Sequence, residues 1–283
     1  MKHAYMIITH NEFEVLEKLL QAIDDERNDI FIHFDRKVKQ LPVLQTRNAG
    51  LYILENRIDV RWGHISQIQS EYALFETAYK TGDYQYYHLI SGTHLPLYSQ
   101  NYIHSFYEEL KGQEVMACIH AGDYEIDLKM QRYNLFMSNF THRNMRIKTM
   151  NQWLWRLGIF IQRRLHIHRN KNISFKKAAN WVSVTQKCIE FLLERKKDVL
   201  KKYRFTMCGD EFFVPSELES SSKIWNITDC QRLIKTDMER ANTRTFLMED
   251  LDDLINSKCL FARKFGKEDM AVVDKILEHI NSK

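Results

Sequence analysis

Ala4-Tyr5-Met6-Ile7-Ile8-Thr9 is a short unbroken apolar run, the pattern of a strand buried on both faces. His10-Asn11 turns the chain, and Phe13, Leu16, Leu19, Leu20 and Ile23 then recur at helical spacing up to Asp24-Asp25. Ile30-Phe31-Ile32-His33-Phe34 reads as a second strand, closing on Asp35-Arg36-Lys37. Strand, helix and strand at this length make a βαβ unit, hence a parallel sheet with a right-handed crossover. The expected fold class is therefore α/β, a mostly parallel central sheet flanked by helices. Ligands of such sheets bind beyond the carboxyl ends of the strands. Thr9-His10 and residues 33–37 fall there.

The alternation continues outward. Residues 51–54 read as a third strand, and Val60-Arg61-Trp62-Gly63-His64 leads into a helix over 66–79 with Ser66 as its N-cap. The aromatic run 84–90 is β-prone and ends in Ser91-Gly92-Thr93-His94-Leu95-Pro96-Leu97, again polar, glycine-containing chemistry at a strand end. A helix over 103–110 and a strand over 115–119 follow. Further on, the pattern predicts a basic amphipathic helix over 152–165, a strand over 181–184 and one long helix over 186–203. Strand 223–227, helix 248–256 and a closing helix 269–280 complete the chain.

Composition narrows the class. The 283 residues are 44% hydrophobic and 12% aromatic, enough for a sizeable core, and 3 Pro with 9 Gly leave no room for a flexible linker. One domain over 1–283 is expected. There is no secretion-signal pattern and no run of about 18 apolar residues. The five cysteines are scattered without a C-x-x-C pair, which suits a reducing cytosol and buried thiols rather than disulfides or zinc. A cytoplasmic location is the expectation. Phosphate-binding G-x-x-x-x-G-K, G-x-G-x-x-G, G-x-S-x-G and H-E-x-x-H signatures are missing. His166-Ile167-His168 lies in a cationic stretch that suits a metal poorly.

The net charge of +4 is unevenly spread: between Asp127 and Glu190 there is no acidic residue, against thirteen Lys and Arg. The segment 141–177 can be a packed helix whose charges are merely solvated. It can also be a peripheral contact with an anionic membrane surface. A non-catalytic polyanion or nucleic-acid binder using 129–187 is the rival from another class.

Cys208-Gly209-Asp210-Glu211-Phe212-Phe213-Val214-Pro215 sets two carboxylates after a glycine and before two aromatics. They can cap the helix that begins there or complement its dipole, or Glu211 can be a general base against an apolar wall. On the residues alone the two readings stand level.

Taken in order, Val60 to Ser66, Tyr84 to Leu97, Trp181 to Thr185, Asp210-Glu211-Phe212-Phe213 and Leu260-Phe261-Ala262-Arg263-Lys264-Phe265 resemble the core-2/I-branching β-1,6-N-acetylglucosaminyltransferase family, which includes the peptide O-xylosyltransferases. The resemblance runs from Ala4 to about Ile280. It implies a GT-A-like fold, an inverting mechanism, a UDP-sugar donor and no metal; no cofactor is expected, and the acceptor is expected to be a glycan, or a lipid-linked saccharide if the basic segment meets a membrane. Nucleic acid is not an expected partner.

The catalytic base of that family matches Glu211. Its diphosphate-binding Lys matches Lys264 and its Arg matches Arg244, with Arg263 as a nearby substitute. A metal-free site needs such fixed cations where charge develops on the leaving group. The resemblance puts Asp35 near the nucleoside, and Glu125, Lys129 and Arg132 near the acceptor. His10, Trp62, Ser91, Gly92, Thr93, Trp181 and Asp210 complete the expected donor and acceptor pocket. Each has a plain alternative: Asp35 as a turn cap, Lys264 as a surface charge, the tryptophans as core.

The plain D-x-D, Asp250-Leu251-Asp252, falls inside a predicted helix and reads as a solvated face. Two departures bear on the sugar transferred. Ala178-Ala179-Asn180-Trp181 stands where the family commonly has Gly-Ser-Gln-Trp, and the segment after Phe213 lacks the usual Thr. The absence of the anchor, stem and disulfides of animal members points to a bacterial relative. N-acetylglucosamine is the expected sugar, with xylose as the alternative.

Overall fold

In the computed structural model, which describes residues 2–239 and 242–282, the opening βαβ unit forms as its pattern dictates. β1 (His3–Thr9) and β2 (Asn28–Phe34) run parallel on either side of α1 (Phe13–Ile23), with Tyr5 opposite Ile30 and Ile7 opposite Ile32. β3 (Gly50–Ile53) adds to the β2 edge. After α2 (Ser66–Thr81) the chain returns as β4 (Tyr86–Ser91), parallel to β1. β5 (His94–Pro96) and α3 (Gln100–Glu109) lead to β6 (Glu114–Ile119).

α4 (Asp123–Met130) and α5 (Met145–Arg164) precede β7 (Lys177–Thr185), which inserts antiparallel between β4 and β6. α6 (Gln186–Glu194), α7 (Lys196–Tyr203) and α8 (Phe213–Glu219) follow, and β8 (Ile227–Asp229) closes the far edge. The seven-stranded sheet has the order β3-β2-β1-β4-β7-β6-β8. The mostly parallel α/β architecture expected from the sequence is the one observed.

Strand alternation separates two cores. Tyr5, Ile7, Ile30, Ile32 and Ile90 point to one face, against α1, α3 and the C-terminal helices. Ala4, Met6, Phe31 and Leu89 point to the other, against α2, α6 and α8.

The C-terminal part builds a second sheet at the carboxyl ends of the parallel strands. β9 (Ile234–Thr236) is followed by the short ladder of β10 (Met238–Glu239) with β11 (Asn242–Thr243), then α9 (Leu251–Asn256). β12 (Phe261–Arg263) pairs with β5 and β9 and sets Arg263 opposite His94. α10 (Met270–Asn281) closes on α1, capped by the Asp269 carboxylate, which accepts the Val272 N–H.

Several local expectations are corrected. The long helix over 186–203 is two helices, parted where Arg195 leaves helical geometry and its guanidinium turns onto buried Glu217 at 3.1 Å. Ser66 is the first helical residue, not the cap. Its hydroxyl accepts the Arg61 N–H at 2.8 Å and so ties down the loop before the helix. The basic helix starts at Met145, where Asn144 caps it by accepting the Arg146 N–H. The strand expected at 223–227 lies instead at Ile227–Asp229. Among the described residues no side chain caps the helix after Glu211, which removes the cap, though not the dipole, from the readings of the pair.

Candidate active site

The carboxyl ends of β1 and β4 open a cleft of about 290 Å³ lined by residues 8–12, 91–93, Thr245, 263–266 and Glu268. Three expected residues of the β4 loop, Ser91, Gly92 and Thr93, lie here with His10. Gly92 is fixed by close approach: a Cβ there would sit 2.5 Å from Thr9 Oγ1 and 2.9 Å from Thr9 Cβ. The Gly92 N–H continues the ladder to Ile8 O at 3.0 Å, and the Phe265 N–H donates to Thr93 O at 3.0 Å. The C-terminal strand is thereby pinned to the loop, and Arg263 and Lys264 are delivered to the cleft.

The two cations have unusual company. The Arg263 guanidinium lies over the Trp181 ring at 5.1 Å and donates from Nη1 to Thr243 Oγ1 at 3.0 Å, while its Nε is buried without a partner among the described residues. Burial lowers its pKa. Its neighbour His94 is fully buried and held well below the usual imidazole range, by burial first and by Arg263 second. That ring accepts the Ser91 N–H at Nδ1 and supplies no counter-charge. Among the described residues neither Arg263 nor Lys264 has an ion-pair partner. A desolvated cation of this kind favours an anion in the cleft. Glu12 lies on the rim, but its carboxylate accepts the Lys267 N–H at 2.8 Å.

Arg244, the expected partner of Lys264, is placed differently. It grips Asp250 with two bonds of 2.9 and 2.7 Å and reaches Asp237 from Nε at 3.0 Å. It does not line the cleft, whereas Arg263 does. The same pairing ties up Asp250 of the D-x-D. Among the described residues no three His, Cys, Asp or Glu gather as a metal-ligating group.

A second cluster lies along β7. Its ladder with β6 slips between Met116 and Cys118, so that residues 179–181 bulge out of register at the strand end. Trp181 reaches Arg263 from there, its ring edge-on to His94 at 4.8 Å. Four residues upstream, no more than roughly 13 Å of extended chain, Lys177 reaches Glu211. Glu211 Oε2 lies 3.2 Å from Lys177 Nζ and 3.7 Å from Lys129 Nζ, and Glu125 Oε1 bridges the same lysines at 2.8 and 2.6 Å. Burial opposes ionisation of Glu125, but its two lysine bonds prevail and hold its pKa below the ordinary value. Glu211 Oε2 is buried between these lysines, while 32% of the side chain stays exposed.

The turn that presents Glu211 is tightly built. Cys208 takes the left-handed conformation (φ 52°) and donates its N–H to Gly63 O at 3.0 Å. Gly209 is held by close approach, since a Cβ would meet Thr206 Oγ1 at 2.6 Å. Trp62, 48% exposed and stacked on Phe140, borders this turn through Gly63. Asp210 points inward and accepts from Gln67 Nε2 at 2.7 Å with one oxygen, its other oxygen being buried without a partner. Burial, then repulsion from Glu211, pushes its pKa up to about 7. Burial likewise raises Glu71 beside it, with Asp210 adding.

Other expected residues sit apart or are already engaged. Arg132 is buried, bonding Asp127 at 2.6 Å and the Ile167 carbonyl at 2.8 Å, and it supports the chain after α4. Asp35 makes a turn, accepting the Lys37 N–H and pairing with Lys37 Nζ at 2.7 Å. It lies beside the cleft, where it opposes the lowering of the His10 pKa by burial.

Lys177 was not among the expected residues, although Lys176-Lys177 directly precedes the quoted Ala178 to Trp181. Gln67 and Glu71 were also missed. Polar residues on the inward side of a helix that also presents Ile68, Tyr72 and Phe75 were the available signal.

A family model for the Core-2/I-Branching enzymes, under the short name Branch, matches residues 3–252. The chain belongs to this family. The family is one of glycosyltransferases. The match takes in Glu211 and Arg244 and ends before Arg263 and Lys264. No curated protein matches the chain. Among solved structures, the crystal structure of S. aureus TarS is similar at 12% identity with a TM-score of 0.28, over 50% of this chain and 26% of that one. The chain thus spans about a quarter of that protein, a likeness too slight to place any residue.

Proposed function

We propose that this Core-2/I-Branching enzyme moves a sugar, N-acetylglucosamine in the first instance, from UDP to a glycan hydroxyl by a single inverting displacement without a metal ion. The observation that carries this reading is the pair Arg263 and Lys264, two cations without carboxylate partners among the described residues, in a cleft at the strand ends. The diphosphate lies against them. Glu211 takes the proton of the acceptor hydroxyl as its oxygen bonds to the anomeric carbon. The bond from that carbon to the diphosphate oxygen breaks, its electron pair leaves with UDP, and the two cations stabilise the charge that develops.

Lys177 and Lys129 orient the Glu211 carboxylate, and Trp62 and Trp181 offer ring faces on which a sugar can stack. Asp210, buried behind the turn, positions Glu211 without touching substrate. The test is a panel of UDP-sugars incubated with enzyme alone and followed for slow hydrolysis. UDP-N-acetylglucosamine should be turned over and UDP should bind. Indifference to every UDP-sugar, with no UDP binding, would refute the reading.

A further inference from the structure

α5 carries apolar residues on both sides: Ile159 is buried and Trp155 packs inward, while a second apolar set is left exposed. The residues it presents to the protein include Asn151 and Gln162, both buried, with Gln162 bonded to the Tyr133 N–H and carbonyl. The apolar residues it presents to solvent include Met150, Trp153, Leu157, Phe160 and Ile161, with Trp153 59% and Phe160 67% exposed. At 100° per residue these five lie within one stripe, opposite the Asn151–Gln162 side. Isolated exposed apolar residues are ordinary, but a tryptophan and a phenylalanine at the centre of a continuous helical stripe mark an interaction surface.

The charges around the stripe say what covers it. Arg146 and Arg164 lie on the stripe near its two ends and Arg156 flanks it, and none of the three has an ion-pair partner among the described residues. No acidic residue occurs anywhere between Asp127 and Glu190. A second copy of the helix would bring like charges together, whereas an anionic surface would be attracted by all of them. A basic rim around an aromatic and aliphatic stripe matches the interface of an anionic bilayer, in which such a helix lies flat. Among the described residues no helix is long and apolar enough to cross a membrane, so the contact is one of lying on, not spanning.

We infer that α5 docks this enzyme on an anionic lipid bilayer through Met150, Trp153, Leu157, Phe160 and Ile161, with Arg146, Arg156 and Arg164 meeting the headgroups. The docking does not depend on the catalytic roles proposed above. It is nevertheless coupled to the site by packing. On the inner side of α5, the Trp155 indole N–H donates to Asn134 Oδ1 at 2.8 Å and the ring meets Phe140, which stacks on Trp62 beside the Glu211 turn. Where the proposed function holds, an acceptor anchored in the same bilayer would arrive on the Trp62 side.

The test is sedimentation of the full chain with phosphatidylcholine vesicles, with and without phosphatidylglycerol. Wild type should pellet with the anionic vesicles only, and added salt should release it. Trp153→Ala with Phe160→Ala should abolish pelleting. Reversal of Arg146, Arg156 and Arg164 to Glu should weaken it by at least roughly 5-fold per site. All five positions are solvent-facing, so unchanged circular dichroism and melting temperature separate lost docking from lost folding. Recovery of wild type in the supernatant with both vesicle types would overturn the inference. So would a solution dimer, or a nucleic-acid complex, broken by the same apolar variant in the absence of vesicle binding.

Discussion

Lys177 Nζ sits 3.2 Å from Glu211 Oε2 and 2.8 Å from Glu125 Oε1. One lysine at the start of an antiparallel strand therefore holds together a carboxylate from α4 and one from the turn before α8. Because β7 also carries Trp181 beneath Arg263, the strand joins the candidate base to the candidate diphosphate cations.

Replacing Lys177 by Met keeps the aliphatic stem and removes the charge that orients Glu211. Transfer should slow by roughly 10–100-fold through misplacement of the base, while UDP affinity stays unchanged. Steady-state kinetics with parallel titration of UDP separates the two. An equal loss in UDP affinity would move Lys177 to the donor side.

Arg263 and Arg244 make opposite predictions. Arg263→Ala should weaken UDP binding by roughly 10–100-fold, the range for a lost charged hydrogen bond. Arg244→Ala should leave UDP binding largely intact and lower the melting temperature, because Asp250 and Asp237 lose the partner they share. The reverse pattern would restore Arg244 as the diphosphate ligand.

The framework was legible because its signals are local. Ala4 to Thr9, the spacing of Phe13 to Ile23 and the run to Phe34 each declare an element without reference to the rest of the chain. Trp62, Ser91 to Thr93 and Glu211 stood out because they occur in an order that resembles a family. What stayed hidden depends on tertiary pairing. The sequence offers Arg244 and Arg263 on equal chemical terms, and only the folded chain shows Asp250 closing on one of them. Lys177 looked like one more cation in a basic block until the β7 bulge brought it to Glu211. α5 was legible as a basic amphipathic helix, but not which of its apolar residues would stay exposed.

Metal independence has its own test. With the diphosphate charge met by Arg263 and Lys264, transfer should persist in excess EDTA and manganese should not raise it. Abolition by the chelator with recovery on manganese would reassign the leaving-group chemistry to a cation.

Asp210 links the site to stability. Its pKa in the fold, about 7, stands above the ordinary aspartate value. Between the two values the folded state binds more protons than the unfolded one, so stability falls as pH rises from about 4 to 7. Asp210→Asn removes this loss and retains an acceptor for Gln67. Its urea midpoint should exceed that of wild type at pH 8, with the difference shrinking towards pH 4. A wild-type midpoint that rises over the same range, unaffected by the substitution, would contradict the assignment.

The central claim is that Glu211 takes the acceptor proton while the cleft cations hold the donor. Glu211→Gln preserves shape and cannot accept a proton. The single most direct measurement is its transfer rate beside its UDP dissociation constant. The account predicts a rate lower by roughly 10²–10⁴-fold with UDP affinity nearly unchanged. Transfer at close to the wild-type rate would remove Glu211 from the mechanism.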